Sequence, residues 1–156
     1  MKSTRILMLL AILLVSAPAL FAADFGVRAG RYSDAGTDFV GAEVLVNLGA
    51  VNLNPNVEYS LEDDVTAGTA NLDLTFDVLS TARVRPYVGA GVGLAYFENA
   101  AGSSQTDVLG NLIGGVQFEL ELFKPYAQVK YFRVLDNTDE GADAEDDIAL
   151  TIGLRF

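Results

Sequence analysis

The chain has no cysteine, no histidine and no tryptophan, and it carries only ten basic residues against 21 acidic ones. Without cysteine there is no disulfide, no thiolate metal ligand and no lipid-modified cysteine behind an export signal. Without histidine, the commonest general base and the commonest metal ligand are lost together. The acidic balance argues against nucleic acid, because phosphate contacts need clustered Lys and Arg. Long hydrophobic runs are also scarce. Hydrophobic residues make up 51% of the chain, yet the one long unbroken apolar stretch is Ile6–Val15, about half the ~20 residues that a membrane-spanning helix needs.

That stretch has a different meaning. Lys2 and Arg5 precede it, and Ala17-Pro18-Ala19 and Leu20-Phe21-Ala22-Ala23 follow with small residues suited to cleavage. Residues 1–23 are expected to be a cleavable signal peptide, cut after Ala22 or Ala23; a retained membrane anchor is the weaker alternative. Residues 24–156 then form one domain of ordinary size. It keeps all 21 acids but eight of the ten bases, for a net charge of −13.

What the chain does have is alternation. From Asp24 onward apolar residues recur with period two, the mark of strands with two unlike faces. Val51, Leu53, Pro55, Val57, Tyr59 and Leu61 alternate with Asn52, Asn54, Asn56, Glu58, Ser60 and Glu62; Ile148, Leu150, Ile152, Leu154 and Phe156 alternate with Ala149, Thr151, Gly153 and Arg155. The same template gives eight segments: 24–32, 38–47, 51–62, 67–78, 84–97, 106–119, 123–135 and 146–156. Two fit less cleanly. Leu109 and Ile113 put apolar residues on the polar face of the sixth, and Arg133 falls on the apolar face of the seventh. Tight turns at Gly49, Ser80-Thr81 and Leu120–Leu122 alternate with connections over 33–37, 63–66, 98–105 and 136–145, the last two long and polar, which is the build of bacterial outer-membrane barrels.

A soluble lipocalin-like barrel also alternates, with its apolar face inward. Three features favour the membrane form. Tyr59, Tyr96 and Tyr131 lie near one end of the apolar face, and Phe25, Phe76, Phe118 and Phe156 near the other, as in two aromatic girdles. The polar face carries Gly26, Gly30, Gly41, Gly89, Gly91 and Gly93, which weaken an exposed strand but make room inside a narrow barrel for Tyr87, Phe97, Tyr126 and Arg85. Finally, Arg28, Arg85, Lys124, Lys130 and Arg155 share the polar face with Glu43, Glu58, Asp73, Asp77, Asp107 and Glu119, a near balance that predicts ion pairs in the lumen. Backbone facing hydrocarbon must be paired on both sides, so closure follows. The expected fold is all-β, an eight-stranded antiparallel up-and-down transmembrane barrel with both ends in the periplasm.

Arg85-Pro86-Tyr87-Val88-Gly89-Ala90-Gly91-Val92-Gly93, Gly114-Gly115-Val116-Gln117-Phe118, Lys124-Pro125-Tyr126-Ala127 and the terminal Gly153-Leu154-Arg155-Phe156 carry a resemblance. The chain resembles the small outer-membrane β-barrels typified by the OmpA transmembrane domain and OmpX, over essentially all of residues 24–156. The resemblance implies that Gly153, Leu154 and Phe156 form an insertion signal read by the barrel assembly machinery. It implies outer-membrane lipid and lipopolysaccharide as surroundings, and leaves a surface ligand unnamed. It does not imply wall anchoring, since nothing here corresponds to the peptidoglycan-binding domain of full OmpA proteins. Fold of this kind says little about activity.

Three activities are open to a barrel of this kind. Catalysis is disfavoured, because barrel enzymes mostly rely on histidine, and carboxylates such as Asp73 and Asp77 have lumen bases as simpler partners. A minor channel for small or apolar solutes is the alternative, against which a filled lumen argues. Cation binding is a third. Asp136, Asp139, Glu140, Asp143, Glu145, Asp146 and Asp147 place seven carboxylates in twelve residues that could hold Ca²⁺ or Mg²⁺ and bridge to lipopolysaccharide. Their spacing matches no EF-hand loop, and a solvated acidic loop is the simpler reading. The expectation is therefore a non-enzymatic outer-membrane barrel without cofactor, acting in envelope structure or surface interaction.

Overall fold

The computed structural model describes residues 23–62, 65–79, 83–99, 104–135 and 146–156. The expected signal segment before residue 23, the turn at Ser80-Thr81 and the acidic positions Asp136, Asp139, Glu140, Asp143 and Glu145 lie outside the described residues.

Eight strands follow one another: β1 (Ala23–Tyr32), β2 (Asp38–Asn47), β3 (Asn52–Ser60), β4 (Val65–Asp77), β5 (Val84–Asn99), β6 (Ser104–Phe118), β7 (Lys124–Val134) and β8 (Asp146–Arg155). Each pairs antiparallel with its sequence neighbours, and β1 pairs with β8 to close the barrel. The boundaries agree with the alternating segments to within two residues. The up-and-down order follows from antiparallel strands joined locally, and closure leaves no unpaired sheet edge.

The register determines the barrel's geometry. Ala23 lies opposite Val46, and the row continues through Leu53, Leu74, Ala90, Leu112, Tyr131 and Ile148. From Ile148 it returns to β1 at Ser33, whose N–H donates to the Ile148 carbonyl at 2.8 Å. One circuit thus climbs from residue 23 to residue 33, a shear of ten residues. Eight strands with such a stagger tilt by roughly 40° and enclose a bore that side chains fill.

At the end holding Ala23 and Phe156, here the terminal end, two tight turns lie among the described residues. Leu48–Val51 closes with the Leu48 N–H donating to the Val51 carbonyl at 2.8 Å. Gly49 sits there at φ +94°, as the first central residue of a type II′ turn requires. The Leu120 N–H donates to the Phe123 carbonyl at 3.2 Å in the β6–β7 turn. The far end carries the longest connection, the eleven residues between β7 and β8. The expected long connection over 98–105 shortens to the four residues between β5 and β6, because both strands extend into it.

Burial inverts the usual arrangement. Leu72, Leu74, Val88, Val92, Val129, Leu150 and Ile152 are all exposed, while Arg28, Glu43, Glu58, Asp73, Lys130 and Arg155 are buried. Leu109 and Ile113, the apolar residues on the polar face of β6, are also buried and belong to the lumen packing. Phe25, Phe76, Phe118, Phe123 and Phe156 ring the outside at the terminal end, and Tyr59, Tyr96 and Tyr131 lie outside toward the far end.

Candidate functional site: a filled, charge-balanced lumen

Period-two alternation aims every second side chain of each strand inward, and the register decides which of them meet. Arg28 of β1 is level with Gly41 of β2, which is level with Glu58 of β3. Gly41 is needed there: a Cβ would lie 3.0 Å from Cγ of Arg28 and 3.3 Å from Cα of Glu58. The missing side chain lets the guanidinium reach over β2, where its Nη atoms lie 3.5 Å from Glu43 and 3.4 Å from Glu58.

Glu58 is shared. Lys130 Nζ lies 3.5 Å from it and 3.2 Å from Asp73, and Tyr32 donates its hydroxyl to Glu58 at 2.7 Å. Glu43 is shared too. Arg155 donates to it through Nε at 2.7 Å and Nη2 at 3.3 Å, and its guanidinium lies 4.0 Å above the Tyr126 ring. Three cations, Arg28, Lys130 and Arg155, therefore meet three carboxylates, Glu43, Glu58 and Asp73, in one connected and electrically neutral group. Removing any charge from water costs several kcal/mol; sharing each acid between cations and hydrogen-bond donors offsets that cost.

Amides complete the lattice. Asn54 donates to Glu43 at 3.1 Å, Asn56 to Asp73 at 2.8 Å, Asn71 to Asn56 at 3.1 Å, and Asn111 to Asp73 at 3.1 Å. Above it, Tyr32 packs on Phe39 with ring centroids 4.7 Å apart and meets Phe132 edge-on at 5.7 Å. With buried Leu109 and Ala95, these rings seal the lumen toward the far end. Below it, at the terminal end, a cavity of about 180 Å³ opens between Asp24, Asp77, Arg85, Lys124, Tyr87 and Arg155.

The rim of that cavity holds the remaining expected pairs. Arg85 bridges Asp77 and Glu119, the latter at 3.0 Å. Burial would raise the Glu119 carboxyl, but hydrogen bonds from Gln117 and Arg85 hold it below the usual carboxylate range. Lys124 pairs with Asp24 at 2.6 Å.

The solved structures contain barrels of the same build. The N-terminal β-barrel domain of Pseudomonas aeruginosa OprF superposes with a TM-score of 0.65 at 19% identity, over 86% of this chain and 96% of that one. Neisserial surface protein A gives 0.64 at 15% identity, over 85% of this chain and 94% of that one. No family model matches the chain, and no curated protein does. The resemblance to small outer-membrane barrels read from the sequence thus holds at the level of the fold.

Not every expected lumen residue joins the network. Asp107 stands near the far end of β6, where it accepts from Gln105 at 2.9 and 3.0 Å and forms no ion pair among the described residues. Phe97 shares the inward phase of Tyr87 yet is 46% exposed, because β5 projects beyond the closed part of the barrel. Asp146 and Asp147 are engaged by the protein. Tyr131 donates to Asp146 at 2.7 Å, and Asp147 accepts from the backbone N–H groups of Asp34 at 2.8 Å, Ala35 at 3.2 Å and Ile148 at 2.6 Å. Four contributors escaped the sequence reading: Asp24, Tyr32, the interior Asn ladder and Asp147 as an anchor for the β1–β2 turn. The inward phase of each was readable; its partner was not.

Proposed function

We propose that this chain is an integral outer-membrane barrel that is non-enzymatic, closed to bulk diffusion, and active in envelope structure or in contacts at the cell surface. One observation carries the reading. Among the described residues, the outward strand positions between the two aromatic bands bear no charged side chain; the outward strand charges Arg31, Asp38, Glu98, Arg133 and Asp146 all lie toward the far end. In water such a surface would be far larger than the apolar patches soluble proteins tolerate, whereas in a bilayer it is the required face. A ten-residue strand tilted by roughly 40° climbs about 25 Å, the height of the apolar band on outer-membrane barrels.

In this reading residues 1–23 direct export, Gly153, Leu154 and Phe156 serve the assembly machinery, and the termini face the periplasm. Outer-membrane lipid and lipopolysaccharide surround the wall. The far-end aromatic seal and the neutral network support a closed lumen. Purified full-length mature protein, refolded into planar bilayers, is expected to show no steady single-channel openings. Steady openings at moderate voltage would replace this reading with that of a minor channel.

A further inference from the structure

One seam of the wall is incomplete. The β2–β3 ladder runs from Phe39–Ser60 to Glu43–Asn56, omits Val44 and Leu45, and resumes in the same register at Val46–Leu53. The other seven seams run without a break among the described residues. The cause is Pro55, which stands opposite Val44 in that register. Proline has no N–H to give, and inside a sheet it is ordinarily confined to an edge, a first position or a bulge. Successive residues of an antiparallel strand turn their N–H groups to alternate neighbours. The β3–β4 ladder is continuous through Pro55–Leu72. The missing donor is therefore the one that β2 needs, and the Val44 carbonyl loses its backbone partner.

A side chain takes that place. Buried Asn54 donates through Nδ2 to the Val44 carbonyl at 3.1 Å and, with the same nitrogen, to Glu43 at 3.1 Å. Its Oδ1 accepts from Asn56 at 3.3 Å. The wall is thus fastened at this point to the charged group of the lumen. The neighbouring space is loosely filled. Leu45, Asn47 and Asn52 of the same two strands line the terminal-end cavity, so a strand that gives way there has room to move.

We infer that β2 and β3 form a latched seam, the place where the wall parts first, with the Asn54 side chain as the latch. Local opening follows sparse packing and weak hydrogen bonding, and the two coincide here. The opening faces sideways through the wall and not along the axis, so it coexists with a lumen closed to bulk diffusion. It stands on the fold alone and is independent of what surrounds the barrel.

The test is residue-resolved amide hydrogen exchange on the full mature chain refolded in micelles. Protection at Val44, Val46 and Leu53 is expected to be about three- to tenfold lower than at Ala90 and Leu112, in the middle of β5 and β6, the range of one net hydrogen bond. Asn54→Ala lowers it at the same three amides by about that factor again. Pro55→Val restores the backbone donor, raises protection there, and makes Asn54→Ala nearly silent in the double variant. Asn111→Ala removes a donor to Asp73 of the same charged group without touching the seam, and leaves the three amides unchanged. Equal protection of both seams in the wild type, a uniform loss over all strands in Asn54→Ala, or no gain from Pro55→Val would overturn the inference. The gel shift between boiled and unboiled samples shows whether each variant closes. If Asn54→Ala does not, the wild type and Pro55→Val decide the matter between them.

Discussion

Lys130 shows how the interior is balanced. Its ammonium touches Asp73, Glu58 and the Asn56 side-chain amide oxygen, at 3.2, 3.5 and 3.3 Å. Among the described residues, Lys130→Met therefore leaves buried Asp73 without a cation and Glu58 with Arg28 alone. The expected loss is about 3–5 kcal/mol, measured by urea unfolding of the refolded barrel in micelles. Adding Asp73→Leu to that variant is expected to recover part of the loss, because the orphaned charge is then removed. Glycines give a sharper contrast. A Cβ at Gly153 runs into the Tyr126 ring, while one at Gly114 meets nothing. Gly153→Ala is expected to cost about 1–3 kcal/mol by overpacking, and Gly114→Ala to stay within about 0.5 kcal/mol of wild type, both in the same assay. Single residues were the least legible part of the sequence. Alternation tells which way Glu58 points, but only the register reveals that Arg28 and Lys130 converge on it across intervening strands.

At the scale of elements, the eight strands were readable because each has one face that water would reject and one that lipid would reject. Even β6, where Leu109 and Ile113 blur the pattern, keeps its phase. Leu109 is buried toward the far end, and Ile113 is buried level with Lys130 of the charged network, so both fill lumen space without a charge of their own. The connections were less legible, since a turn's anchor can come from far away. Asp147 on β8 holds the β1–β2 turn by two backbone donors. Asp147→Ala is expected to speed amide hydrogen exchange at Asp34 and Ala35 while leaving β3 to β6 protected. The β6–β7 corner depends on pH. Glu119 is held below its ordinary value of 4.5, so its contribution is complete above about pH 4.5 and is lost as pH falls through the lower folded value. Exchange over residues 118–124 is expected to accelerate on acidification through that window. Glu119→Gln is expected to flatten the dependence.

For the whole molecule, closure was the strongest inference available from the sequence. Eight two-faced strands with local connections leave edges that only β1 and β8 can satisfy for each other. The shear was not legible, because register depends on which inward side chains fit together, and alternation permits any slip by two. A compact closed barrel resists detergent, so unboiled protein is expected to migrate differently from boiled protein on a denaturing gel. Identical migration would contradict closure. The seam itself has a further consequence. Gly26 pairs with Arg155, and Phe25 and Phe156 exchange backbone hydrogen bonds at 3.0 and 2.9 Å. The first strand must therefore wait for the last, and pairings this distant are slow to form. A growing chain cannot mature strand by strand into a smaller native object. Its edge stays adhesive until the final residues arrive, which makes a chaperoned, all-at-once closure the natural route to the finished cylinder.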